Sequence, residues 1–206
     1  MGKLMSDYKK RMRVLVEKEI VDNIHNDLSN TAFYFKKRIK KRMDTGDQDG
    51  IFLEMMAALT MTAFALEAIL NYIGHAKEVP AWRKKSLEEK LAVLLEKLGL
   101  KPDFEARPYS TVKQLKDLRN TLAHGKPRTI TPEPEEIIGT YDEIYVKPDL
   151  RSDWEREVTP EFVEIAYDDM VEIEKELFSA AKIEVMETLN GGSWTITFID
   201  YVDDDI

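Results

Sequence analysis

Apolar residues recur every three or four positions through most of this chain, and that spacing predicts helices. In the first stretch Met12, Leu15, Val16, Ile20, Ile24, Leu28, Ala32, Phe35 and Ile39 keep the period. One helix is therefore expected from Ser6 and Asp7, which can cap it, to about Met43, before Asp44-Thr45-Gly46 stops it. A second helix is expected from Ile51 to about Gly74, apolar on nearly every side and hence central. Ser86 and Glu89 stand at capping-box spacing at the head of the stripe Leu87, Leu91, Leu94, Leu95 and Leu98, which Gly99-Leu100 and Pro102 close. After Pro108 the spacing returns at Thr111 and Gln114, and Val112, Leu115, Leu118 and Leu122 make the buried stripe of a fourth helix, ended by Gly125 and Pro127. A last helix starts at Thr159-Pro160-Glu161 and runs to about Leu189, where Asn190-Gly191-Gly192 end it.

Between the fourth and last helices the period fails. Residues 128–158 hold three prolines, an acidic cluster over Glu133–Glu136 and a short β-like run, Glu143-Ile144-Tyr145-Val146, so an irregular insert is expected there. The tail Trp194-Thr195-Ile196-Thr197-Phe198-Ile199 alternates as a strand does and is expected to pair with the 143–146 run. The predicted fold is thus mainly α: an up-down bundle of four to five helices in one domain spanning residues 1–206. It carries the 128–158 insert and a small β appendage from 143–146 and 194–199, within a tail over about 191–206.

Composition narrows the classes. A chain of 206 residues, 43% hydrophobic, is long enough for a substantial core. The absence of cysteine excludes disulfides, thiol catalysis and thiolate metal sites. Residues 1–7 lack the apolar stretch of a signal peptide, and the apolar run Ile51–Ile73 contains Glu54 and Glu67, which are costly in lipid, so a cytoplasmic protein without membrane contact is expected. A net charge of −9 argues against indiscriminate nucleic-acid binding. Its distribution matters more: Lys36, Lys37, Arg38, Lys40, Lys41 and Arg42 place six cations in seven residues.

There is no glycine-rich phosphate loop, HExxH or Cys/His ligand spacing, and no metal or cofactor is implied. Of His25, His75 and His124, only His124 sits beside an arginine and an asparagine at a helix end. A histidine exchanges protons near neutral pH, Arg119 can clamp a phosphate through its planar fork, and Asn120 can orient either partner. Those parts suffice to cleave RNA through its own 2′-hydroxyl: the base activates the hydroxyl and the cation stabilises the crowded phosphorane. Residues five apart on a regular helix differ by roughly 140° around its axis. Arg119 and His124 therefore converge only if the helix ends before His124 or if a second subunit brings its own copy.

Leu118-Arg119-Asn120-Thr121-Leu122-Ala123-His124-Gly125 resembles the R-N-x-x-x-H motif of the HEPN superfamily (higher eukaryotes and prokaryotes nucleotide-binding domain). The helix order is similar over about residues 6 to 190, although only the motif is specific; the insert and the C-terminal strand depart from the minimal pattern. The resemblance implies an all-α, roughly four-helix bundle and a metal-independent endoribonuclease, often a toxin paired with an antitoxin protein or a phage-defence component. It also implies a homodimer whose two motifs form one cleft, with Arg119, Asn120 and His124 as catalytic residues. Other members are non-catalytic, so an RNA- or nucleotide-binding or assembly module is the alternative.

Two further groups bear on that site. Thr60, Glu67, Asn71 and His75 share one face of the apolar helix, and either Glu67 or Asn71 is placed to face Arg119 and set its direction; the competing reading is a salt bridge or water network that fixes register. The basic run from Lys36 to Arg42, continued by Lys126 and Arg128, can guide an RNA backbone to the cleft, although such runs are often simply solvated helix ends. Phe33, Tyr34 and Phe35 are expected in the core.

Overall fold

The computed structural model describes residues 11–127, 129–131, 133–145 and 149–202. They fall into two compact units: Ile24–Glu184, and the two chain ends up to Asn23 and from Val185 onward. The protein is mainly α-helical, with one small antiparallel sheet.

The helical unit begins with α1 (Ile24–Asp44), whose first turn holds Asp27 and whose last turn holds Lys41 and Arg42, each at the favourable end of the helix dipole. Next comes α2 (Ile51–Ala76), entered through Gly50 at φ 64°, a left-handed turn that suits glycine. As its pattern predicted, α2 is central and packs against four other helices. They are α1, α3 (Leu87–Leu98), α4 (Ser110–His124) and α7 (Pro160–Ala181). Leu59, Leu66, Ile69, Leu70 and Ile73 of α2 are essentially inaccessible to water and meet Leu94, Leu115, Met170 and Leu177 of its neighbours. Each such side chain stabilises the fold by about 1.5–3 kcal/mol through burial. α2 is also long and apolar enough to cross a membrane, but half of that stretch is buried by the other helices.

The local signals for α3 act as predicted: Ser86 Oγ accepts from the Glu89 backbone, Glu89 returns a carboxylate oxygen to the Ser86 N–H, and Gly99 closes the helix at φ 71°. Thr159 likewise caps α7 through the Phe162 N–H, with Pro160 in the first turn. Other expectations fail for identifiable reasons. Thr111 does not form a capping box with Gln114, because its hydroxyl is donated to Asp169 on α7 instead. α7 stops at Ala181 rather than near Leu189: Lys182 turns left-handed, and the Ile183 N–H bonds back to the Phe178 carbonyl at 3.0 Å. In the insert, the run expected as a strand from 143 to 146 is a single helical turn, α5 (Tyr141–Ile144), since Thr140 and Glu143 make a capping box; Val146 lies outside the described residues. A second capping box, Ser152 with Glu155, starts α6 (Asp153–Glu157).

The largest departure is at the start. Of the helix expected from Ser6 to Met43, Ser6 and Asp7 lie outside the described residues, Arg11–Val21 is a strand, β1, and the helix begins at Ile24. Met12, Leu15, Val16 and Ile20 fit a helical period, but Met12, Val14 and Val16 also alternate, and β-branched residues favour the extended form. What decides between them is a partner 180 residues away. The predicted tail strand exists as β2 (Gly191–Val202) and pairs antiparallel with β1, not with the insert. Leu15 lies opposite Thr197, Val16 opposite Ile196 and Lys18 opposite Trp194, with a register irregularity at Arg13/Val14. Asn23 closes the base of this ribbon, its backbone N–H donating to Asn190 and its side chain to the Leu189 carbonyl.

Candidate functional site

Arg119 and Asn120 lie in the last turns of α4; their side chains are tied to each other, and Arg119 is tied through Glu67 to two neighbouring helices. Arg119 Nη1 donates to Asn120 Oδ1 at 2.9 Å, and Nη2 donates to Glu67 Oε2 of α2 at 2.5 Å. The other Glu67 oxygen accepts from Lys90 Nζ of α3 at 3.1 Å. Two cations against one carboxylate leave this half-buried cluster with a net charge of +1. Lys90 is the most enclosed member, with a side chain 7% exposed. The sequence pattern did not single it out, because a lysine inside a capping-box helix reads as a solvated one.

Glu67 thus faces Arg119, and it does so within an interhelical ion pair, so the two readings of that polar row describe the same contact. Asn71, the other expected support for Arg119, is elsewhere: its Oδ1 accepts from the Trp82 indole N–H at 3.0 Å. Thr60 donates to the Met56 carbonyl of its own helix, and His75 is exposed in the last turn of α2.

His124 is the final residue of α4, and Gly125 leaves the helix with φ −53° and ψ 126°. The helix is therefore regular through His124, and the condition that it end earlier is not met. Within one chain Arg119 and His124 project roughly 140° apart around the axis. The exposed His124 instead lines an open groove of about 490 Å³ with Thr121, Leu122, Lys126 and Trp154. Trp154 comes from α6 in the insert and rests against Phe52 of α2, ring centroids 6.2 Å apart. Reading the insert as irregular concealed this residue; the Ser152-x-x-Glu155 spacing was the available signal. Among the described residues no group of three or more His, Asp or Glu side chains is placed to hold a metal ion.

The basic run is divided in its use. Lys36 pairs with Asp168 of α7 and lies 5.1 Å from the Tyr167 ring centroid. Arg38 and Arg42 both bind Glu54, and Arg42 also binds Asp47, holding that carboxyl below its ordinary range. Lys37, Lys40 and Lys41 are exposed, Lys37 lying over the Phe33 ring. Phe33 and Tyr34, expected in the core, are 43% and 58% exposed; only Phe35 packs inward. Lys126 lies in the His124 groove, and Arg128 is outside the described residues.

One buried polar group was missed altogether. Asp169 on α7 is inaccessible, and its carboxylate accepts three hydrogen bonds from Arg107 at 2.8–3.0 Å and another from Thr111. Beside it the Tyr109 hydroxyl donates to Glu176 at 2.9 Å, and burial pushes that phenol above its ordinary pKa. These contacts clamp the start of α4 to α7 and so orient the helix that carries Arg119. They join residues 58 to 67 positions apart, which no local pattern reveals.

No protein-family model, curated protein or solved structure matches this chain.

Proposed function

We propose that the chain is a HEPN-like, metal-independent endoribonuclease that acts as a homodimer, of the kind found among toxins and phage-defence proteins. The observation that carries this reading is the state of the motif. Arg119 and Asn120 are held by hydrogen bonds in a net-positive cluster, while His124 stands exposed at the end of the same helix in an open groove with Lys126 and Trp154. The roughly 140° between Arg119 and His124 is the reason for invoking a second copy. In the composite cleft one His124 takes the proton from a 2′-hydroxyl, whose oxygen attacks the adjacent phosphorus. Arg119 holds the non-bridging oxygens as charge builds on them, and the other His124 gives a proton to the departing 5′-oxygen. The products are a 2′,3′-cyclic phosphate and a 5′-hydroxyl.

The test incubates purified protein with end-labelled RNAs in excess EDTA beside a His124→Ala control. Cleavage to cyclic-phosphate ends that the variant loses is the expected result. Mixing Arg119→Ala with His124→Ala protein then restores part of the activity if the site is shared between chains, and none if each chain is self-sufficient. The alternative is a binding or assembly module, favoured by the ion pair in which Glu67 already occupies one arm of the Arg119 fork. Wild-type protein that leaves every RNA intact while remaining dimeric would replace the enzyme with that module.

A further inference from the structure

The β1–β2 ribbon has properties that the motif does not explain. A two-stranded ribbon is marginally stable in water by itself. Among the described residues its sheet has only these two strands, so each has one edge that no further strand covers. Its two faces also differ. Alternation puts Arg11, Arg13, Leu15, Glu17 and Glu19 on one side of β1, opposite Val202, Asp200, Thr197, Thr195 and Ser193, with Arg13 ion-paired to Asp200 at 3.2 Å. The other side carries Met12, Val14, Val16, Lys18 and Ile20, opposite Tyr201, Phe198, Ile196, Trp194 and Gly192, and is apolar except for Lys18. These apolar side chains are not covered: Ile20 is 79% exposed, Trp194 66% and Met12 55%.

The order of charges on the polar face of β1 is self-complementary. Two arginines precede Leu15 at spacings of two and four, and two glutamates follow it at the same spacings. If β1 of one copy lies antiparallel to β1 of another with Leu15 opposite Leu15, then Arg13 meets Glu17 and Arg11 meets Glu19 of the second copy. The two-fold symmetry repeats both pairs. On the other face the same register sets Val14 against Val16 and Met12 against the aliphatic stem of Lys18. A shift of one residue would turn apolar side chains onto the polar face, and a shift in pairing of two would set Arg13 or Glu17 against Leu15. Parallel, in-register pairing would oppose arginine to arginine. We infer that β1 is the edge through which two copies of this chain associate, forming a four-stranded sheet in the order β2-β1-β1-β2 about a two-fold axis at Leu15. The pairing covers the outer edge of β1, doubles the strands that share the apolar face, and adds a charge of opposite sign across the axis to each of Arg11, Arg13, Glu17 and Glu19, Arg13 keeping its pair with Asp200 within the ribbon. It rests on the ribbon alone and stands whether or not Arg119 and His124 cut RNA.

The register makes the test specific, because the chain has no cysteine of its own. Leu15→Cys puts two thiols opposite each other across the axis, at the Cβ separation of a cross-strand pair. Val21→Cys puts them roughly 40 Å apart along the paired strands. Under mild oxidation the first variant is expected to give a disulfide-linked dimer and the second is not. In parallel, light scattering compares wild type with an all-acidic edge (Arg11→Glu, Arg13→Glu) and an all-basic edge (Glu17→Lys, Glu19→Lys). Each is expected to weaken self-association on the order of a hundredfold, as four attractive pairs become repulsive, and an equimolar mixture to recover the wild-type dimer. Circular dichroism of each variant checks that the fold survives. A monomeric wild type, equal cross-linking at both positions, or edge variants that dimerise like wild type would overturn the proposal.

Discussion

Replacing Glu67 with glutamine tests the centre of the candidate site. The substitution keeps the shape and one acceptor oxygen but removes the only negative charge in a cluster containing Lys90 and Arg119. Lys90 suffers most: its ammonium is 3.1 Å from Glu67, and its side chain is 7% exposed, so water cannot replace the lost counter-charge. Removing one partner of a fully buried ion pair costs about 3–5 kcal/mol, whereas an exposed pair contributes about 0–1 kcal/mol. Glu67 and Arg119 are 27% and 23% exposed, which places this cluster between the limits. The expected cost of Glu67→Gln is therefore about 1–3 kcal/mol. In a chain of this size that lowers Tm by roughly 2–12 °C. Urea denaturation of Glu67→Gln, Lys90→Met and the double variant forms a cycle. The double variant should lose less than the sum of the singles, because Lys90, the most enclosed cation, is no longer stranded and only the more exposed Arg119 lacks its carboxylate. If RNA cleavage is detected, Glu67→Gln should also reduce it while the protein stays folded, since Arg119 loses the group that aims it. A variant with unchanged stability and unchanged cleavage would refute both the ion-pair accounting and the positioning of Arg119.

Three further outcomes follow from buried contacts. Gly74→Ala should destabilise by about 1–3 kcal/mol, since a Cβ there would come within 2.3 Å of the Trp82 ring, and the cost should accompany a change in tryptophan fluorescence. An unchanged denaturation curve would show that Trp82 is free to move. Arg107→Ala should lower the denaturation midpoint although that side chain is 56% exposed, because it strands the buried Asp169 carboxylate. Combining it with Asp169→Asn should recover part of the loss in the same denaturation assay, and additive losses would contradict this. His25 is buried against Tyr72 and Phe178, and burial lowers its pKa from 6.5. The unfolded chain then binds a proton that the folded chain resists. The stability this group contributes above pH 6.5 is lost as pH falls through 6.5 towards the lower folded value. His25→Phe should flatten that part of the stability–pH curve, measured by denaturation between about pH 5 and about pH 8; a slope identical to wild type would assign it to other groups.

Much of the helical unit was readable in advance, because the signals that set it are local. The unbroken apolar character of α2, the Ser86/Glu89 box, the glycine after α3 and the Thr159-Pro160 start of α7 each act within a turn or two of the residues that carry them. The motif at Arg119–His124 was legible for the same reason, as was its angular problem, which follows from helix geometry alone. Where competing local signals balanced, the reading failed. Residues 11–21 satisfy both the helical and the strand period, and Thr111 suits either a cap or a long-range bond.

What the sequence determined by itself was therefore the mainly helical character, the central helix, the position of most helix ends and the candidate chemistry. Tertiary structure alone decided which partner each ambiguous segment took. β2 made β1 a strand, Asp169 took Thr111 away from its expected cap, Glu67 rather than Asn71 met Arg119, and Trp154 reached the groove of His124. The physical reason is common to all four. An extended edge, a buried carboxylate and an apolar ring each need a partner, and chain folding supplies that partner from residues 30 to 180 positions away, beyond the range of any local pattern.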